Sequence, residues 1–192
     1  MARRVLCILL VMTFMLGGCS MQGGSAMEEA LAFRSKVLGG CSFLAKITAD
    51  YGEQVCTFSL SCRVDREGAL LFTVTAPDTI SGITGRVDGA GGKLTFDDVV
   101  LPFSPLAEGR LSPVASAYTA AQSWRTGYIA TCGKEGEQLV FSVNTTYEEN
   151  PLVADTRMDP EKGVPLSTEI CYNGRKHISI VFTDFQFSSK AE

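Results

Sequence analysis

The 192-residue chain has a single histidine, no C-x-x-C pair, no G-x-S-x-G elbow and no apolar run long enough to cross a bilayer. Each scarcity excludes a class of function. A zinc site of the usual spacing needs closely placed Cys or His ligands, so no metal is expected, and no cofactor is called for. A nucleophilic triad would have only His177 to serve Ser179 or Ser167, with Asp184 behind it, and a histidine opening a strand after a turn is ordinarily solvated. No catalytic residue is assigned, and the chain is not expected to be an enzyme. The acidic turn residues Asp97-Asp98, and Asp155 with Asp159 and Glu161, read as solvated side chains rather than ligands of a hard cation.

What is present starts with Ala2-Arg3-Arg4, a basic lead-in to the apolar stretch 5–16, which stops at Gly17-Gly18. About a dozen apolar residues make a signal h-region, whereas a membrane-spanning helix needs about 20. The junction Leu16-Gly17-Gly18-Cys19 resembles the bacterial lipobox. It implies a lipoprotein signal peptide over 1–18, cleavage before Cys19, and diacylglycerol and palmitate on that cysteine. A short Gly/Ser-rich tether over 19–24 then leads into a single domain over 25–192. The expected partner is the membrane itself, through the anchor, on the face outside the cytoplasm. Ser20 also permits sorting to an outer membrane in a Gram-negative host. The loss of Arg3 and Arg4 from 17 basic residues leaves 15 against 21 acidic ones, so the mature chain is acidic and nucleic acid is not an expected partner. Asn144-Thr145-Thr146 matches a glycosylation sequon, which beside a bacterial lipobox is a chance match.

With Cys7 gone in the signal and Cys19 acylated, Cys41, Cys56, Cys62, Cys132 and Cys171 remain. Five is odd, so at most two disulfides form. Cys56 and Cys62, about 20 Å apart along one strand, are a poor pair. Buried thiols are the default expectation.

The periodicity predicts a helix opened by the capping box Ser25-Ala26-Met27-Glu28, with a stripe of Met27, Leu31, Arg34 and Leu38 widened by Ala30, Phe33 and Val37, and ended by Gly39-Gly40. The pattern then becomes two-residue. Cys56, Phe58, Leu60, Cys62 and Val64 share one face of a strand over 54–64, and Leu70, Phe72 and Val74 one face of the next. Short strands follow at 82–88, 93–96 and 99–102. A second helix is predicted from Ser112-Pro113 through Val114, Ala117, Tyr118, Ala121 and Trp124 to Gly127. Strands at 128–132, 137–144 and 152–157 precede a terminal hairpin about Asn173-Gly174, where Ile178, Ile180 and Phe182 share a face. There Asp184 marks a bulge, because Phe185 and Phe187 change phase. The expected fold is mainly β with two α-helices (α+β). Its nine to eleven strands form a strongly curved antiparallel sheet or incomplete β-barrel, with the helices covering its concave apolar face.

The order of these elements resembles the superfamily of lipoprotein carriers and receptors, the LolA/LolB-like proteins. The local resemblance is carried by Gly68-x-Leu70-x-Phe72-x-Val74-x-x-Pro77, then Ile80-Ser81-Gly82-Ile83, then Gly92-x-Leu94-x-Phe96-Asp97. An anchored member is similar to the receptor, or to Gram-positive relatives such as the germination lipoproteins of spore formers. The resemblance implies an apolar cavity for the acyl chains of a lipid or lipoprotein. Phe58, Leu60, Phe72, Val74, Phe141, Ile180 and Phe182 are its candidate lining, although sequence alone does not separate cavity-lining from core-filling residues. The alternative is a non-enzymatic cell-envelope interaction module that holds a protein partner such as a cell-wall enzyme.

Overall fold

The computed structural model describes residues 22–104, 106–107, 110–145 and 152–188; residues 1–18, expected to be a signal peptide, and Cys19, expected to be lipidated, lie outside the described residues. Helix α1 (Gln22–Val37) begins three residues before the expected cap, so the Ser25–Glu28 box sits inside the helix rather than at its start. Ala26, Ala30, Phe33 and Val37 form its buried face, while Leu31 and Leu38 are about half exposed. The two stripes are adjacent on the helix, and packing selects the one that carries the Phe33 ring.

Strands β1 (Cys41–Asp50), β2 (Val55–Val64), β3 (Leu70–Ala76), β4 (Thr84–Asp88), β5 (Gly91–Phe96) and β6 (Val99–Phe103) follow as a meander. A small ribbon, β7 (Leu106–Ala107) with β8 (Arg110–Leu111), leads through a 3-10 turn at Pro113–Ala115 into α2 (Ser116–Arg125). Ser112 makes no side-chain cap there. Then come β9 (Tyr128–Glu135), β10 (Gln138–Asn144), β11 (Val153–Asp159), β12 (Val164–Tyr172) and β13 (Arg175–Phe187).

Eleven strands form one sheet in the order β6-β5-β4-β3-β2-β1-β13-β12-β11-β10-β9, in which every neighbouring pair is antiparallel. The chain starts in the middle, at β1, and the last strand returns beside it. Helix α2 contacts β1 and β3 as well as β10, β11 and β12. In a flat sheet β3 and β10 would be about 29 Å apart at about 4.8 Å per strand. A ten-residue helix is only about 15 Å long. The sheet is therefore curved, and it is open, since β6 and β9 are its two ends.

The turns follow from local chemistry. Asp65 accepts from the Ala69 N–H through Oδ1 at 2.9 Å, and Gly68 takes a φ of 93°, which together reverse the chain between β2 and β3. Asn173-Gly174 adopts left-handed φ values of 51° and 69°, the type I′ geometry that matches strand twist. The expected bulge is present. Asp184 has φ 51° and the β1–β13 register shifts between Ser42 and Leu44, which turns Phe185 and Phe187 towards the core.

Candidate functional site

The seven candidate residues lie on one face of the sheet, in three neighbouring cross-strand rows. Phe58, Ile47 and Ile180 continue through Thr168 and Thr156 to Phe141. Val74, Leu60, Ala45 and Phe182 form the second row. Phe72 belongs to the third, between Cys62 and Gly85. All seven are buried and share one core with Ala26, Ala30 and Phe33 of α1 and with Ala117, Ala120, Ala121 and Trp124 of α2. The small residues of both helices let their backbones approach the sheet closely. Cys56, expected beside Phe58 on the dry face, is exposed at the start of β2.

At the centre of this layer stands Trp124, fully buried. Its ring meets Phe182 at 4.9 Å, Phe43 at 5.6 Å, and Phe33 and Phe185 at 5.9 Å, all edge to face, the arrangement that aromatic quadrupoles favour. Its Nε1–H donates to Thr156 Oγ1 at 3.1 Å, and the Thr156 and Thr168 hydroxyls share a 2.8 Å bond. These two threonines are the polar interruption of an otherwise apolar face, and they fix the orientation of the indole. Their partners come from three segments distant in sequence, so periodicity offered no signal for them.

Two arginines join the helix ends to each other. Arg34, in the last turn of α1, donates to the carbonyls of Trp124 (3.1 Å), Gly127 (3.2 Å), Ser123 and Thr126 (both 3.3 Å) at the C-terminus of α2. Arg125, in the last turn of α2, donates to the last carbonyl of α1, that of Val37, at 2.9 Å, and to the Arg66 carbonyl at 2.6 Å. Each cation thus meets the negative end of the other helix. Burial lowers the Arg34 pKa from its ordinary value. Arg34 was read as part of an apolar stripe, because its partners are backbone atoms and leave no trace in sequence.

Solvent reaches the edge of the apolar layer where β4–β6 meet Tyr118 of α2. A groove of about 880 Å³ opens there, lined by Arg86, Asp88, the 89–92 turn, Lys93, Pro102, Phe103, Ser104 and Tyr118. Phe103 and Tyr118 are half-buried and pack against the core. The Phe103 ring occupies the space a side chain at Gly92 would need, since a Cβ there would come within 2.3 Å of it. Arg86 pairs with Asp88 at 3.3 Å and Asp65 at 3.8 Å across the rim. Desolvation, then the Asp88 charge, raises the Tyr118 phenol above its ordinary pKa, so it is a neutral donor at this wall. None of the seven sequence candidates lines this groove. Phe103 and Tyr118 went unassigned because one sits on an edge strand and the other on a helix.

The remaining titratable groups suggest no chemistry of their own. Cys41, Cys56, Cys62, Cys132 and Cys171 are all free thiols. Burial pushes the Cys41 thiol up to about 12, and burial with the nearby Cys41 pushes Cys62 up too. His177, expected to be solvated, is half-buried instead; it stacks on Tyr51, and its Nδ1 is buried with no hydrogen-bond partner among the described residues. Among the described residues no group of three His, Cys, Asp or Glu side chains is placed to hold a metal ion, and no helix is long and apolar enough to cross a membrane.

No protein-family model and no curated protein matches this chain. Solved structures similar to it include a putative outer membrane lipoprotein-sorting protein domain from Vibrio parahaemolyticus, at 12% identity and a TM-score of 0.45, covering 88% of this chain and 95% of that one. A LolA superfamily protein from Nitrosomonas europaea is similar at 9% identity and 0.45, covering 88% and 95%. The lipoprotein LppX of Mycobacterium tuberculosis is similar at 10% identity and 0.44, covering 88% and 97%.

Proposed function

We propose that this chain is a non-enzymatic lipoprotein of the lipoprotein-carrier type, anchored through Cys19 on the outer side of the cell membrane. On this reading it binds the acyl chains of a lipid or lipoprotein between its helices and the concave face of its curved sheet. The observation that carries the reading is the 880 Å³ groove in which the half-buried Phe103 and Tyr118 bring the apolar layer to solvent. Its size is that of a small-molecule site, and its walls combine apolar surface with a few polar groups. Pro102, Phe103 and Tyr118 receive the tail, while Arg86, Lys93 and Asp88 stay with the polar head at the rim. The driving force is desolvation of the chain. At about 0.8 kcal/mol per buried methylene, eight methylenes contribute about 6 kcal/mol before ordering costs. A longer chain displaces Trp124, which holds the middle of the layer in the closed arrangement.

Native mass spectrometry with lipid extraction, on residues 22–192 purified without detergent, tests this. Discrete added masses that extract as lipid are expected, and a folded Tyr118→Glu variant should lose them. A clean unliganded mass that stays clean when lipid is added sinks the acyl reading. A second reading, the envelope module that holds a protein partner, is favoured by how fully Trp124, Phe33, Phe43 and Phe182 fill the layer. An affinity capture from the host envelope that retrieves one stoichiometric protein supports it, and recovery of bulk membrane material alone counts against it.

A further inference from the structure

Among the described residues, a run of exposed apolar side chains lies at the β6 end of the sheet. Phe96 is 50% exposed, Val99 57%, Val100 55% and Leu101 58%. They occupy both faces of the β5–β6 hairpin, and among the described residues β6 has no neighbour on its other side within the sheet. An edge guarded against pairing carries charge along its faces or proline where a ladder donor is needed. Here the acidic charge is confined to the turn, Asp97-Asp98, whose φ values of 46° and 64° make it a type I′ connection. Two carboxylates at the tip also disfavour burial of this hairpin in an anionic bilayer.

The register says what the open edge offers. Phe96 and Val99 flank a two-residue turn and form a hydrogen-bonded pair, so Leu94–Leu101 and Gly92–Phe103 do as well. Thr95–Val100 and Lys93–Pro102 are the pairs between them, with backbone groups that point away from the partner strand. Proline is tolerated at 102 for this reason, since the N–H it lacks would face the open side. The edge therefore presents the Val100 N–H, the Val100 C=O and the Pro102 C=O.

We propose that β6 is a self-association edge that pairs antiparallel with β6 of a second copy about a two-fold axis at Val100. In that register the two Val100 residues exchange both hydrogen bonds, and Val99 of each copy lies opposite Leu101 of the other. Across the seam Val99 and Leu101 of the two copies lie side by side on one face, and the two Val100 side chains on the other. The missing Pro102 donor falls opposite the turn, where it interrupts no interior rung. Asp98 of one copy comes beside Pro102 of the other, one strand from Lys93. That is about 10 Å between backbones, a distance two extended side chains span together. The acidic tip meets a cation twice over, once at each end of the pairing. Lys93 forms no ion pair in the single chain among the described residues. The interface is small, so the dimer is a weak, concentration-dependent one. It requires no ligand and goes beyond the lipid reading.

Photo-crosslinking of the full chain tests it, with a benzophenone side chain placed at Leu101 and a mixture of isotopically light and heavy protein. A product of twice the mass that joins Leu101 of one copy to the 97–101 segment of another is expected. Val100→Pro removes both reciprocal bonds and should weaken dimerisation by about tenfold or more. It leaves the monomer intact, because that N–H bonds nothing in β5. Asp98→Lys should weaken it too, and Asp98→Lys combined with Lys93→Asp should restore it. Absence of a double-mass product, crosslinks only to lipid or an unrelated protein, or a dimer indifferent to Val100→Pro would each overturn the proposal. Lipid uptake by the groove is measured separately, so failure of either idea is visible without the other.

Discussion

Truncation of Trp124 to alanine is the sharpest test of how the apolar layer is held together. The side chain is fully buried, with four rings 4.9–5.9 Å from its own, so its removal loses the transfer free energy of an indole and leaves a void the curved sheet cannot readily close. Such substitutions cost about 3–5 kcal/mol. The lost hydrogen bond to Thr156 adds little, because the Thr156 hydroxyl keeps Thr168 as a partner. With a urea dependence of about 2 kcal/mol per molar, the unfolding midpoint should fall by about 2 M. Trp124→Phe keeps a ring in place and should lose about 1–2 kcal/mol. Far-UV circular dichroism is the suitable probe, since Trp124 is the only tryptophan and its fluorescence disappears in both variants. A Trp124→Ala midpoint within about 0.5 M of the parent would refute the view that this residue closes the layer.

The arginine clamp and the thiols yield two further expectations. Arg34→Ala frees four carbonyls at the end of α2; because the group is partly exposed, the cost should be about 1–2 kcal/mol by urea unfolding. Arg34→Lys should recover less than half of it, as a single ammonium lacks the guanidinium fork. A thiol reagent should label Cys56 in the native protein and reach Cys41 and Cys62 only at the rate of global unfolding. At pH 9 a thiol held near 12 is ionised in about one molecule in a thousand, so alkaline pH alone should not expose Cys41. The same raised pKa makes these thiols' contribution to stability complete below the ordinary thiol range of about 8.5–9. It is lost as pH rises from there towards 12, because the unfolded chain releases those protons first. Native labelling of Cys41 as fast as Cys56 would contradict the packing.

Much of the architecture was legible in the chain because it depends on local rules. Two-residue alternation places Phe58, Leu60, Phe72, Val74, Phe141, Ile180 and Phe182 on one face whatever the strand order, and Asn173-Gly174 and Asp184 mark a turn and a bulge through backbone preferences of single residues. The first helix was legible as a helix but not in its first residue or its buried stripe. Adjacent stripes of one helix are distinguished only by what they pack against. The same holds for Arg34 and Arg125, whose partners are carbonyls that every residue possesses, and for the Trp124–Thr156–Thr168 contact between segments far apart in the chain.

The sequence by itself determined that this protein has an apolar sheet face with two helices, because period and turn chemistry are properties of neighbouring residues. Only the tertiary structure decided that β13 returns beside β1, that the sheet bends far enough for one short helix to contact both β3 and β10, and that Trp124 fills its centre. It alone placed a solvent-open groove at Phe103 and Tyr118 and left the outer edge of β6 without a partner strand among the described residues. Those outcomes depend on which distant residues compete for the same volume and the same backbone hydrogen bonds, and that competition is settled only when the whole chain packs.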